Sequence, residues 1–420
     1  MSLASWRVLL LSSLGAGIEY YDFAIFALFS NAIEQAFFPA QVTSHGMLAV
    51  FMTFAVGYWV RPIGGYLIGY VADYYGRAFA FRMTMLLLGS STIVMALLPS
   101  AAWLGGAATV LFVILRCIQG AAVGGEIPTA LTYVIEQMPQ AKGQAVGVIF
   151  AALSLGILLT TGVFHLLNQW QLSQGLDAWR MAFIMGAIWT FVIYGLRFWL
   201  TEKPVVITAN PNIKGQDSTC YGLKQILASI GLMSIVAMAT TQFFIILPNW
   251  ANQYASHVSV SQWLPIAALI MLPCCLIGGW LSDVLNRSVL FMIWTVLLVS
   301  AGGIVYLGLL LEIQKWWIGL LIAGVALGGV ASTYPVIIAE TAFPKFRGRL
   351  LGLSYNMSYS LFSAPVPLLM GQWFFTSFGQ AYAPMILLIG TGMTSLLGIW
   401  WFSKQSVVGP AGLEPATNGL

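Results

Sequence analysis

Five charged side chains stand in stretches of sequence too apolar to solvate them. They are Glu19 and Asp22 near the start, Arg61, and Arg116 with Glu126 at the two ends of the run RCIQGAAVGGE, residues 116–126. A charge at the centre of a bilayer costs about 2.5–3.5 kcal/mol on insertion scales, so such groups face a partner, a protein interior or a water-filled cavity. Arginine holds a carboxylate through two parallel hydrogen bonds and stays charged. A carboxyl can exchange a proton: desolvation raises its pKa and a nearby arginine lowers it, so an anion arriving at the arginine switches the acid's proton affinity. The chemistry on offer is reversible binding of a charged small solute coupled to a proton. Arg61 and Arg116 would meet the solute, with Gln119 and Tyr20 beside them, and Glu19, Asp22 or Glu126 would carry the proton. A permanent ion pair such as Glu19 with Arg116 is the plain alternative, and Gly120, Gly124 and Gly125 around Glu126 favour tight packing there.

The elements that must position these residues follow from composition. Of 420 residues, 59% are hydrophobic and 7% charged, against about 25% charged in a soluble domain. The apolar runs have the length of bilayer-crossing helices, about 20 residues, and not the ten-residue alternation of a barrel. The expected class is an all-α integral membrane protein. Twelve helices are predicted, near residues 7–30, 46–72, 82–99, 103–136, 143–167, 178–200, 222–252, 261–282, 288–311, 316–340, 350–374 and 381–403. The first carries Glu19 and Asp22 and shows no convincing cleavage site, so it reads as a retained helix. Most basic residues outside the apolar runs, from Arg7 and Arg77 to Arg349 and Lys404, fall on one side, and only Arg180 and Lys315 fall opposite. The positive-inside rule then puts both termini in the cytoplasm and the protein in the inner (cytoplasmic) membrane. Residues 201–221 read as a cytoplasmic linker between six-helix bundles at 1–200 and 222–403, and 404–420 as a disordered tail.

The two halves repeat. GYVADYYGR, with Asp73 and Arg77, returns as GWLSDVLNR, with Asp283 and Arg287, at an offset of 210 residues for both charges. Glu136, Pro139, Lys142 and Gly143 after helix 4 are matched by Glu340, Pro344, Arg347 and Gly348 after helix 10, with the proline and basic positions offset by 205. A parallel six-plus-six duplication places a solute cavity near the membrane midplane between the halves.

These residues carry a resemblance. GIEYYDF (17–23), RPIGGYLIGYVADYYGR (61–77), RCIQGAAVGGE, WRMAFIMGA (179–187) and the pattern from ETAFPKFRGR to YNMSY (340–359) resemble the major facilitator superfamily. Within it they resemble the metabolite:proton symporters of α-ketoglutarate, citrate, shikimate and proline/betaine, over nearly the whole chain to about residue 403. The resemblance implies the major facilitator fold and alternating access, with Asp73, Arg77, Asp283, Arg287, Glu136, Glu340 and Arg347 forming a gate at the loops. The family's pattern usually has a basic residue where Tyr74 stands and often a glycine where Asn286 stands, which implies a weaker or differently balanced latch.

Helical spacing sharpens the site. Glu19 and Asp22 share a face of helix 1, and Arg116, Gln119 and Glu126 lie within about 80° on helix 4. Arg116 is near mid-depth and Glu126 about 15 Å nearer the cytoplasm. In the second half Gln242 and Asn249, and Tyr355, Asn356 and Tyr359, could complete the cavity or act as polar glue between helices. Pro128 is expected to interrupt helix 4, and Pro248, Pro273, Pro335, Pro365 and Pro367 to mark kinks. The histidines His45, His165 and His257 read as interfacial, and the four cysteines as small core residues.

No phosphate-cradling loop, nucleophile constellation or metal cluster is visible, which excludes a nucleotide-driven pump and an enzyme and implies no cofactor. The net charge of +4 reflects topology, not nucleic-acid binding. The reading is a proton-coupled importer, acting as a monomer, of a small carboxylate-bearing metabolite. The alternatives are a zwitterion such as proline or betaine, an exchanger, or a non-transporting receptor or channel. Helix 5 lacks the Gly-Pro pattern of many drug antiporters, which tilts toward symport.

Overall fold

A computed structural model describes residues 3–38, 46–174, 177–199, 223–255, 258–260, 262–342, 347–366 and 377–407. The expected linker and most of the tail, with Cys220, His45, His257 and Pro367, lie outside the described residues. No strand occurs among those described, and each of the twelve predicted spans is mainly helical over its described residues. Lipid cannot satisfy backbone polar groups, so an apolar run of this length closes its own hydrogen bonds as helix.

Helix 1 is Leu3–Leu28, helix 3 Arg77–Leu97, helix 4 Gly106–Gln137, helix 5 Lys142–Gln174 and helix 6 Ala178–Leu196. In the second half helix 8 is Leu264–Val284, helix 9 Arg287–Leu310, helix 10 Trp317–Thr341 and helix 12 Ser377–Val407. The last helix therefore extends through 404–407, where the composition predicts a disordered tail; Lys404 packs over the Trp400 ring at 4.0 Å.

The remaining spans are interrupted. Helix 2 is split at Val60 into Gly46–Trp59 and Arg61–Tyr75, with Pro62 opening the second piece. Helix 7 runs Leu223–Thr241, passes through a π-turn at Gln242–Ile246 and continues as Leu247–Tyr254, with Pro248 in its first turn. Helix 11 runs Arg347–Ser358 into a second π-turn, Tyr359–Ser363. Among the described residues, nine helices are long and apolar enough to cross a membrane. Helices 1, 2 and 11 are the ones left out, and they carry much of the site. Helix 4, in contrast, is unbroken through Pro128, against expectation. A proline removes one internal hydrogen bond, and the acceptor it strands, the Gly124 carbonyl, accepts from the Asn356 amide instead.

The halves meet along helices 5 and 8, and again where helix 11 lies against helices 2 and 4. The first seam needs close backbone approach: a Cβ at Gly143 would strike Ser282 and the Gly279 carbonyl, and one at Gly279 would strike the Gly143 carbonyl. Both lie at the end of the bundle that carries Lys142, Arg287 and Arg347, called here the basic end.

Candidate functional site

Two solvent-sized spaces lie near the seam, the outer one walled by both halves and the inner one lined by helices 1, 2 and 4 of the first half. The outer one, about 100 Å³, sits toward the end opposite the basic end. It is walled chiefly by apolar side chains of helices 1, 5, 7 and 8, among them Phe23, Phe164 and Phe244, with Tyr20 and His165 also at its surface. The inner one holds only about 10 Å³, roughly the space a single water occupies. Glu19, Asp22, Tyr58, Arg61, Arg116 and Gln119 line it, and Phe23 is common to both.

Helices 1, 2, 3 and 4 converge on this inner space and divide its charges into two groups. Arg61, projecting from just after the break in helix 2, has its guanidinium carbon 4.2 Å from the Tyr58 ring centre, 5.7 Å from Tyr359 and 6.0 Å from Phe23. Its Nη1 is 3.5 Å from Glu19 Oε1. Tyr58 and Tyr359 stack in parallel with centres 5.5 Å apart, and Tyr355 lies 5.0 Å from Tyr359. Tyr359 also shares a 2.6 Å hydroxyl hydrogen bond with Tyr20, so one side chain of the second half touches helices 1 and 2 of the first. Arg61 Nε and Glu19 Oε2, both buried, have no hydrogen-bond partner among the described residues.

The second group is linked by hydrogen bonds through Gln119, although Arg116 Nε, like Arg61 Nε, is buried without a partner among the described residues. Asp22 accepts from Thr92 Oγ1 at 3.1 Å and from the Gln119 amide, while Arg116 donates to Gln119 Oε1 and stands 3.8 Å from Asp22. Gln119 Nε2 also donates to Thr92 Oγ1 at 2.9 Å. Phe26 covers Arg116, its ring centre 4.3 Å from the guanidinium carbon. Gln119 thus spaces the arginine from the acid.

Glu126 belongs to neither group. Arg197, at the end of helix 6, grips its carboxylate through both terminal nitrogens, and Thr84 donates to it at 2.6 Å. Arg197 also donates to the Phe81 carbonyl at 3.0 Å and is fully buried. In the sequence Arg197 reads as one more basic residue that sets topology; its place at a helix end disguises it.

Of the second-half candidates, Tyr355 and Tyr359 reach the site, whereas Gln242 and Asn356 face elsewhere. Gln242 Nε2 donates to the Pro384 carbonyl inside the second bundle at 2.9 Å, and Asn356 points at helix 4. The side chain of Asn249 lies outside those described. Three members of the site escape the sequence reading. Tyr58 stands one helical turn before Arg61 and Phe23 directly follows Asp22, so spacing could have found both. Thr92, in an ordinary apolar helix, gives no signal.

The residues expected to form a gate are linked to one another across the basic end. Asp283 accepts from the backbone N–H of Gly143 and Gln144 at 2.8 and 3.0 Å, so an acid of one half caps the start of helix 5 in the other. Lys142 binds Glu340 at 2.8 Å, Arg287 bridges Glu340 and Asp283 at 2.5 and 3.2 Å, and Arg347 lies 4.0 Å from Glu136. The side chains of Asp73 and Arg77 lie outside those described. Asn286 has a positive use: its side chain accepts from Ser288 and Val289 N–H and so caps helix 9. In the first repeat the same turn is made by Gly76 with φ 92°.

The family model "Major Facilitator Superfamily" matches residues 12–367. The "Putative proline/betaine transporter" of Staphylococcus aureus (strain COL) is 27% identical, covering 94% of this chain and 87% of its own. The "Glycine betaine/proline/ectoine/pipecolic acid transporter OusA" of Dickeya dadantii (strain 3937) is 26% identical, covering 97% and 85%. Among solved structures, the xylose symporter XylE bound to 6-bromo-6-deoxy-D-glucose superposes with a TM-score of 0.76 at 17% identity, covering 95% of each chain. With helix in the described residues of all twelve predicted spans, buried charges among them and a family match across most of its length, the chain belongs to the major facilitator superfamily and is a membrane transporter.

Proposed function

We propose that this transporter imports a small zwitterion, a carboxylate joined to a secondary or quaternary ammonium, in symport with a proton across the cytoplasmic membrane, with both termini cytoplasmic. The observation that carries the reading is the Arg61 group: an arginine and an acid each with a buried polar atom that has no partner among the described residues, three aromatic rings around the guanidinium, and beside them the outer space of about 100 Å³ that Phe23 and Tyr20 also wall. The solute carboxylate takes Arg61. Its ammonium takes Glu19 and the rings of Tyr58, Tyr359 and Phe23, since aromatic faces attract a cation that cannot donate strong hydrogen bonds. The names of the sequence relatives point the same way. A di- or tricarboxylate, the first expectation from sequence, would draw on Arg116 as well, whose Nη1 already donates to Gln119 and which stands 3.8 Å from Asp22. Among the described residues Arg116 has only Phe26 over its guanidinium, where Arg61 has three rings.

The proton goes to Asp22. Its donors Thr92 and Gln119 are neutral, and a threonine hydroxyl donates to a carboxylate or accepts from a carboxylic acid by rotating. The network therefore accommodates both protonation states without moving a helix.

Uptake into proteoliposomes of glycine betaine, proline and citrate, with and without an inward proton gradient, tests both parts. Gradient-dependent, saturable uptake of a zwitterion and none of citrate is expected; citrate uptake alone overturns the solute, and gradient-independent accumulation overturns the coupling. Asp22→Asn should abolish accumulation and leave exchange intact. Tyr58→Ala should raise KM for a quaternary ammonium about 2- to 30-fold, the range of a cation–π contact.

A further inference from the structure

Helices 4 and 11 belong to different halves, yet they run in register along the basic half of the seam. A Cβ at Gly348 would sit 3.7 Å from Thr132, and one at Gly352 would sit 3.7 Å from Pro128 Cβ. Four residues further along helix 11, Asn356 meets Gly124, four residues back on helix 4. At the outer end of this row Arg347 faces Glu136. From Gly348 and Thr132 inward each step is one helical turn on both helices, so the row is a zip with an ionic end at the membrane surface and a polar end within the membrane.

The inner end is an unusual hydrogen bond. Asn356 Nδ2 donates to the Gly124 carbonyl at 2.7 Å and to the Gly352 carbonyl of its own helix at 2.8 Å. In an unbroken helix the Gly124 carbonyl would be occupied by the N–H of residue 128, but residue 128 is proline and has none. The helix continues regardless, so its one stranded acceptor is presented to the other half. Gly65 of helix 2 completes the socket, since a Cβ there would run into Asn356 Nδ2 and the Gly124 carbonyl. All of these groups are buried or half-buried, where an acceptor left without a donor is costly.

We infer that Pro128 exists to create this acceptor and that Asn356 is a positioning residue of the transport cycle, the intramembrane latch that holds the basic end shut. The halves cannot part at the basic end without breaking the bond and stranding Gly124 O. Asn356 lies one residue from Tyr355 and three from Tyr359, on the same helix, so movement of the aromatic site on solute binding is delivered directly to the latch. The inference does not depend on which solute is carried.

The test measures the distance between the halves by spin labels at Tyr74→Cys and Leu285→Cys, exposed positions at the basic end of each half, in protein lacking its native cysteines. Asn356→Leu should raise the ratio of open to closed basic end about 2- to 12-fold, the equivalent of one net hydrogen bond. Pro128→Ala supplies the missing N–H, so opening no longer strands the carbonyl; it should shift the ratio the same way while keeping the helix. Gly65→Ala, which crowds the socket, should do likewise and stands in if Asn356→Leu does not fold. The decisive outcome is non-additivity: Asn356→Leu should lose most of its effect when combined with Pro128→Ala. An effect of equal size in both backgrounds, or a Pro128→Ala protein with an unchanged distance distribution, overturns the inference.

Discussion

At the scale of single residues, charges that look alike in the sequence have separate surroundings. Glu126 shares a helical face with Arg116 and Gln119, which makes it a candidate proton carrier on spacing alone, but both of its oxygens are bound to Arg197 and Thr84. Breaking a buried ion pair by neutralising one partner costs about 3–5 kcal/mol, because the other charge is left without compensation. Glu126→Gln should therefore lower the melting temperature in detergent by several degrees, measured by a thiol-reactive or tryptophan fluorescence melt. The protein that remains folded should still accumulate solute on a proton gradient. Normal stability with lost accumulation would return Glu126 to the proton pathway. Periodicity shows which residues share a face of one helix, but it carries no information on what the next helix presents. That is why Arg61 and Glu19, on different helices, can be matched in the sequence only by depth, and why Thr92 and Arg197 stay hidden in it.

At the scale of elements, the seam between helices 5 and 8 works because glycine stands at both sides of it. The repeat is enough to single out Asp283 and Arg287 as paired positions of the two halves, since charges returning at a fixed offset are a one-dimensional signal. What Asp283 binds is not legible in the same way, because the backbone N–H groups at the start of helix 5 have no sequence identity. Gly279→Val should hold the halves apart at the basic end, since even a Cβ strikes the Gly143 carbonyl. Membrane-impermeant maleimide should then label a cysteine at Val284→Cys faster in inside-out vesicles than without the Gly279 change, and net uptake should fall to background. Unchanged labelling would mean that the seam tolerates a side chain. The proline kinks show the opposite limit of sequence reading. Pro62 does open a new helical piece, while Pro128 breaks nothing, because the other half of the molecule supplies the donor.

For the whole molecule, twelve spans and their pairing into two bundles are readable from sequence because lipid permits few alternatives to a closed helix of fixed length. The solute is not, because it depends on what surrounds each of two buried arginines, and those neighbours come from other helices. One consequence concerns the membrane voltage. The buried acidic and basic side chains among the described residues are Glu19, Asp22 and Glu126 against Arg61, Arg116 and Arg197, three negative and three positive. Carrying one uncompensated charge through 100 mV is worth about 2.3 kcal/mol, but the unloaded carrier holds none. Its return step should be electrically silent, and with a zwitterionic solute the proton on Asp22 becomes the only charge moved per cycle. On solid-supported membranes, the current should appear with solute plus proton gradient, and solute exchange at equal pH should give none. If the proposed coupling holds, the balance of buried charge means that the carrier feels the membrane potential only when loaded.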